Sequence, residues 1–283
     1  MKAYSIRKAL NIIGIGLTTA GVVLALIPLG AMLVFVLSRG GSSLSWAFFT
    51  QTPAPVGEPG GGMASQIAGT VYLVVLASLI GMPVGIGSGI YLSRSTNPGF
   101  ARTVRFFTDV IAGTPSIIAG VVAYAMIVIP LHTFTPIAGA VALALLMFPT
   151  VTRATEEAIN LVPEAIREAG LALGFPEWKT MIRVVLPAAA QGIVTAAMLG
   201  VSRVAGETAP LYLTVLGNPN FSFTLNGAMG ALPLQIWVYA TSPYEEWIKQ
   251  AWAGAFVLFA IIVISNLTAR LLTYRLSQRG ATA

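Results

Sequence analysis

One charged pair interrupts an otherwise apolar run, Arg203 and Glu207 within 187–215. In a continuous helix, i and i+4 project from one face. An Arg at mid-membrane costs roughly 2.5–3.5 kcal/mol on insertion scales, so a reason for it must be sought. Two are open. The pair could be a structural ion pair that neutralises its own burial, although Arg before Glu is the weaker order for intrahelical stabilisation. Alternatively, Arg203 meets a passing anion, because a guanidinium offers a fork of donors that suits phosphate oxygens. Glu207 would then hold Arg203 between passages and temper its grip. Thr114 and Ser116 offer hydroxyls to such a pathway or bond to backbone and neighbours. Asp109 reads equally as an interfacial helix-end residue, and the single histidine, His132, as a solvated turn residue.

Enzyme chemistry is harder to find. No Gly-Lys pair occurs, so the chain has no Gly-x4-Gly-Lys-Ser/Thr loop to cradle nucleotide phosphates. It also has no His-Glu-x-x-His and no cysteine. These absences argue against catalytic residues, a metal site and a cofactor in this chain. If ATP and Mg take part, they belong to a separate polypeptide.

The elements that must position Arg203 follow from composition. Of 283 residues, 56% are hydrophobic and 9% charged, with a mean hydropathy of +0.81. Soluble domains run near 25% charged, so this chain cannot clothe a globular surface and must face lipid. The net charge of +6 reflects basic residues between apolar runs, which fits membrane topology better than nucleic acid. Six apolar runs occur, at 10–37, 66–92, 106–129, 136–152, 187–215 and 251–274. A spanning helix needs about 20 residues, and backbone groups in lipid must be satisfied within the segment. The reading is an all-α membrane protein with six transmembrane helices. The first run is too long for a signal peptide's apolar region and reads as an uncleaved span. The run 136–152 is short and should extend into the polar sequence after it. Gly81, Gly85, Gly87, Gly89 and Pro83 in the second run point to close helix packing.

With the N-terminus inside, thirteen basic residues fall on inner segments and two, Arg39 and Lys249, on outer ones. That asymmetry puts both termini in the cytoplasm. The chain divides into a first helix with a Gly/Pro-rich outer loop (1–65), a main transmembrane domain (66–274) and a tail (275–283).

The longest inner loop, 153–186, is the most charged segment. Pro163 suits a helix start and Gly174 a left-handed helix end. Between them Ile166, Ala169, Gly170 and Leu173 share a narrow face rich in small residues. Pro176 opens a second short helix and Pro187 marks its end. By pattern alone this is either a helix pair lying on the membrane or a surface offered to another protein.

The spacing here carries a family resemblance. Glu168-Ala169-Gly170, three residues, Gly174, nine residues, then Val184-Val185-Leu186-Pro187 resembles the EAA loop of ABC importer permeases. Gly170 stands where the family has its second Ala, and Val184 where it has Ile. The resemblance implies that Glu168, Ala169, Gly170, Gly174, Leu186 and Pro187 belong to a coupling helix that docks on an ATPase subunit. It also implies the type I ABC importer permease fold. Further matches are similar to the phosphate-specific, PstA-like branch: Thr114-Pro115-Ser116-Ile117-Ile118, Phe148-Pro149, Arg203-Val204-Ala205-Gly206-Glu207-Thr208-Ala209-Pro210, and Ser242-Pro243-Tyr244-Glu245-Glu246-Trp247. Together they cover most of 60–272. The implied function is a non-catalytic permease subunit of an inorganic phosphate importer in the cell inner membrane. The implied partners are a PstC-like permease subunit, an ATPase dimer carrying ATP and Mg, and an extracytoplasmic phosphate-binding protein. The rivals are a secondary transporter or channel for an anion, and an importer permease for sulfate or molybdate.

Overall fold

A computed structural model describes residues 2–55, 58, 60–95 and 97–280. The described residues form helices and loops, with one isolated backbone bridge, Leu216 to Met229, and no strand. Five helices are long and apolar enough to cross a membrane, and a bent helix pair makes a sixth crossing if counted as one span.

The centre is helix α7 (Pro136–Asn160), flanked by α3 (Ala64–Ser93) and α10 (Leu186–Ala205). In lipid, the hydrophobic effect gives helices little reason to associate, so close backbone approach through small residues must do so. Gly81, Gly85 and Gly89 recur every four residues on α3 and all face α7. A Cβ on Gly85 would come 2.9 Å from Val151, and one on Gly89 would come 2.6 Å from Thr155 Cβ. On the other side, Gly192 and Gly200 of α10 admit Ala158 and Val151 in the same way. Leu143, Leu146, Met147 and Val151 of α7 are consequently buried. The packing expected of the second run's glycines is present at three of its four positions, since Gly87 has nothing within 4 Å.

Helix α1 (Lys2–Phe35) continues as a π turn, Val36–Gly40. The rest of the chain leaves α1 uncovered, and contact is made through the π turn, where Gly40 abuts Trp252 and Phe256 of α13 (Glu245–Gly280). A short helix α2 (Trp46–Thr50) follows, its start capped by the Ser45 hydroxyl, which accepts from the Phe48 N–H.

Three expected spans are redrawn. The run 106–129 is not one helix. It comprises α4 (Pro98–Gly113), a break at Thr114 and Pro115, then α5 (Ser116–Ala123), a π turn (Tyr124–Val128) and α6 (Ile129–Leu131). The two halves meet at 104°. Pro115 has no N–H to donate and pushes Thr114 into extended backbone, with ψ 133°, so the helix cannot run through. The run 136–152 does extend into the polar sequence, which makes 153–160 helical instead of loop.

The run 187–215 starts earlier and stops sooner than expected. Helix α9 (Glu177–Thr180), a π turn (Met181–Val185) and α10 form one continuous helix, so Pro187 does not end anything. The wider π turn supplies the register change that lets a residue without an N–H pass. The helix then ends at Ala205 and restarts as α11 (Ala209–Thr214). Pro210 cannot bond back to the Gly206 carbonyl and would clash with it. The segment beyond folds back over the end of α3 and includes α12 (Leu232–Ala240), which the apolar runs did not predict.

Candidate functional site

Arg203 lies three residues before the α10 break, at Gly206, and Glu207 lies just after it. Because the helix stops between them, the two do not share a continuous helical face. Among the ion pairs of the described residues none joins Arg203 to Glu207, so the expected i,i+4 pair is absent. Arg203 Nη1 instead donates to Thr150 Oγ1 of α7 at 3.3 Å. Thr150 stands ten residues from the α7 end at Asn160 and fourteen from Pro136. At about 1.5 Å per residue these are roughly 15 and 21 Å. The guanidinium is therefore level with the middle of the central helix, with its remaining donors exposed on this chain. Sequence reasoning missed Thr150, since no local spacing connects residues 53 positions apart.

Thr114 and Ser116 lie at the other break, between α4 and α5. Thr114 Oγ1 donates to the Val110 carbonyl at 2.7 Å, so its hydroxyl proton is already committed. Ser116 is the first residue of α5 and half-buried. The two broken regions touch through Gly120, where a Cβ would come 2.6 Å from Pro210 Cα. No hydrogen bond among the described residues brings Thr114 or Ser116 to Arg203.

The second candidate surface is α8 (Glu164–Ala172) with α9. Its C-terminal end is a Schellman motif: Phe175 N–H bonds to Gly170 O, Gly174 N–H bonds to Leu171 O, and Gly174 has φ +80°. The left-handed residue is where the spacing placed it. The expected face of small residues is split. Gly170 turns inward, and a Cβ there would come 2.7 Å from Thr180 Cγ2. Ala169 and Glu168 face outward, as do Ile166 and Leu173, the latter 75% exposed. Trp178 and Ile182 are exposed as well. Leu186 leans on a small buried cluster of Ile159, Val162, Val185 and Ala189, and Pro187 is exposed on the continuous helix. Leu186 therefore ties the segment to the core, while most of α8 stays exposed.

Charge orders the same end of the molecule. Arg105 of α4 bonds to Glu156 at 2.6 Å and to the Leu92 carbonyl at 3.1 Å, and Asp109 pairs with Arg153. Asp109 is thus a mid-helix tie to α7, not a helix-end residue. Arg94, which caps α3, bonds to Glu164 at 3.1 Å, while Arg167 bridges Glu164 and Glu177. The Arg167 bond, aided by Arg94, holds the Glu164 carboxyl below its usual 4.5, and both carboxylates raise Arg167. Among the described residues no cluster of side chains has a metal-binding arrangement.

Residues 81–279 match the family model described as binding-protein-dependent transport system inner membrane component. A phosphate transport system permease protein PstA from Yersinia pestis is 37% identical over 272 residues, covering 96% of this chain and 92% of that one. The Haemophilus influenzae protein of the same name is 38% identical, covering 94% of both chains. A Mycobacterium tuberculosis PstA 1 is 34% identical over 267 residues, covering 91% of this chain. Among solved structures, a bacterial alginate ABC transporter chain superposes with a TM-score of 0.60 at 13% identity, covering 93% of both chains. An inward-facing methionine ABC transporter chain gives 0.57 at 20% identity, covering 77% of this chain and 96% of that one. The fold is that of type I ABC importer permeases.

Proposed function

We propose that this chain, which belongs to the family of binding-protein-dependent transport system inner membrane components, is the PstA-type permease subunit of an ATP-driven inorganic phosphate importer. The observation that carries the reading is identity of 34–38% to phosphate permeases along nearly the whole chain. The chain is a multi-pass membrane protein. The bias of basic residues supports cytoplasmic termini and a cytoplasmic α8.

In this reading the chain carries no catalytic residue. ATP and Mg act on two partner ATPase subunits, which dock on the exposed surface of α8 and α9. A PstC-like subunit completes the pathway, and a phosphate-binding protein delivers substrate from outside. The first 65 residues, the domain 66–274 and the tail remain the working division of the chain. Arg203 supplies the fixed positive charge midway through the membrane. Phosphate takes the guanidinium donors that Thr150 leaves free, and permanent capture is avoided because Glu207 competes for the same charge. The break at Gly206 lets Glu207 approach or leave Arg203 as α11 shifts, which a continuous helix would not allow.

The test is co-expression with the partner subunits and uptake of labelled phosphate into vesicles, with sulfate and molybdate in parallel. Phosphate should enter when ATP is present, in preference to the other two anions. Preferred sulfate or molybdate uptake would assign a different oxyanion, and uptake without nucleotide would assign a secondary transporter or channel.

A further inference from the structure

Helix α3 is held by polar bonds at both ends, and the two sets reach different working parts of the molecule. At its N-terminal end the side chains of α3 that make the bonds are buried. Ser65 Oγ donates to the Pro219 carbonyl at 2.6 Å, Gln66 Nε2 to the Asn218 carbonyl at 2.9 Å, and the Leu232 N–H to Thr70 Oγ1 at 2.7 Å. Ser65, Gln66 and Thr70 are each at most 4% exposed. These bonds fix the loop 216–231, which follows directly from α11 and so from the broken region beyond Arg203. At the other end, Arg94 reaches Glu164 on α8.

Between these attachments α3 runs 30 residues without a break, about 45 Å at about 1.5 Å per residue. It carries no charged side chain. Its glycines seat it on α7 along one line, and it has no break at which movement at one end would be absorbed before reaching the other. Helix α8 packs on α9 and the following π turn, and Arg94 to Glu164 is its polar bond to α3. We propose that Arg94 is a positioning residue: it transmits movement of the ATPase-docking helix α8 to α3, and α3 carries that movement to the loop 216–231 at the opposite membrane face. The proposal rests on the coupling role given to α8 above.

Glu164 keeps Arg167 as a partner when Arg94 is neutralised, so Arg94→Gln cuts the link to α3 and leaves α8 and α9 tied together. The experiment reconstitutes the complete complex in proteoliposomes and measures phosphate moved per ATP hydrolysed. ATPase attachment is read by pull-down on the same samples. Three variants are compared, Arg94→Gln, Arg94→Lys and, as a surface-charge control, Arg102→Gln. Arg94→Gln should keep the ATPase attached and hydrolysing while the ratio falls about fivefold, within the usual range of coupling between sites. Arg94→Lys should recover most of the ratio, and Arg102→Gln should match the unaltered chain. An unchanged ratio in Arg94→Gln overturns the proposal, as does loss of attachment in step with uptake. If the unaltered complex itself moves phosphate without ATP, the functional reading fails first, and that outcome is separable from the other two.

Discussion

Helix α3 and the stretch from α9 to α11 both run beside α7, and both contain a proline within a helical run, yet one is a rod and the other is jointed. Pro83 leaves α3 intact. Pro210 is the second residue of α11, five positions beyond the end of α10 at Ala205. The difference lies in what surrounds each proline. Gly81 and Gly85 flank Pro83, and each is pressed on α7, so packing on both sides holds the helix in line. Pro210 has no such clamp on its N-terminal side, where Gly206 faces open space. A proline removes one bond and adds one clash, and neighbours decide whether the helix yields. The charges follow the same division. The rod has none, and the joint is bracketed by Arg203 and Glu207. In lipid, irregular backbone and ionisable side chains are tolerated where protein or a polar cavity receives them, so both gather at the joint.

Four changes would break or sharpen this contrast. The largest effect is expected on α8, just ahead of the jointed stretch. Ile166→Glu with Leu173→Glu should strip the apolar surface from α8 and detach the ATPase, so that pull-down and uptake fail together. Next is the rod. Gly89→Leu forces a side chain into the space of Thr155 and Thr152, and overpacking of this kind costs about 1–3 kcal/mol. Thermal unfolding of the detergent-purified complex should report the loss, whereas Gly87→Leu, at a position facing open space, should not.

A smaller effect is expected at the joint. Thr150→Val removes the acceptor that orients Arg203, and uptake should fall about threefold, the scale of one net hydrogen bond. The smallest is a pH effect. Arg167 and Arg94 lower the Glu164 carboxyl below its usual 4.5. A lowered folded value means that its contribution is complete above the unfolded value and fades as pH falls through the folded one. Phosphate moved per ATP should therefore stay flat from pH 8 to about pH 5, and Glu164→Gln should leave that profile flat at a lower level. A ratio that drops near neutrality would point to a different titrating group.

The legible parts of the molecule were those encoded locally. Apolar runs gave the long helices, and the spacing from Glu168 to Pro187 marked α8 and its Gly174 turn. Gly81, Gly85, Gly87 and Gly89 pointed to close packing, which three of the four make and Gly87 does not. What escaped depends on competition between distant groups. Nothing within 106–129 says that Pro115 bends the chain by 104° while Pro83 and Pro187 do not. That outcome turns on π turns and on which neighbours clamp the helix. The i,i+4 geometry of Arg203 and Glu207 assumed a helix that Pro210 ends. The bonds of Arg203 to Thr150 and of Arg94 to Glu164 join residues 53 and 70 positions apart in sequence, which no periodicity records. Gly170 shares the helical spacing of Ile166, Ala169 and Leu173, yet the fold uses its smallness to bring α8 against Thr180.

The charge at the joint can be tested alone. In proteoliposomes holding the full complex, labelled phosphate uptake and ATP hydrolysis would be followed together for the unaltered chain and for Arg203→Gln. The guanidinium should prove dispensable for ATPase attachment and indispensable for phosphate, so hydrolysis persists and uptake stops. Phosphate flux that survives unchanged in Arg203→Gln would contradict the account.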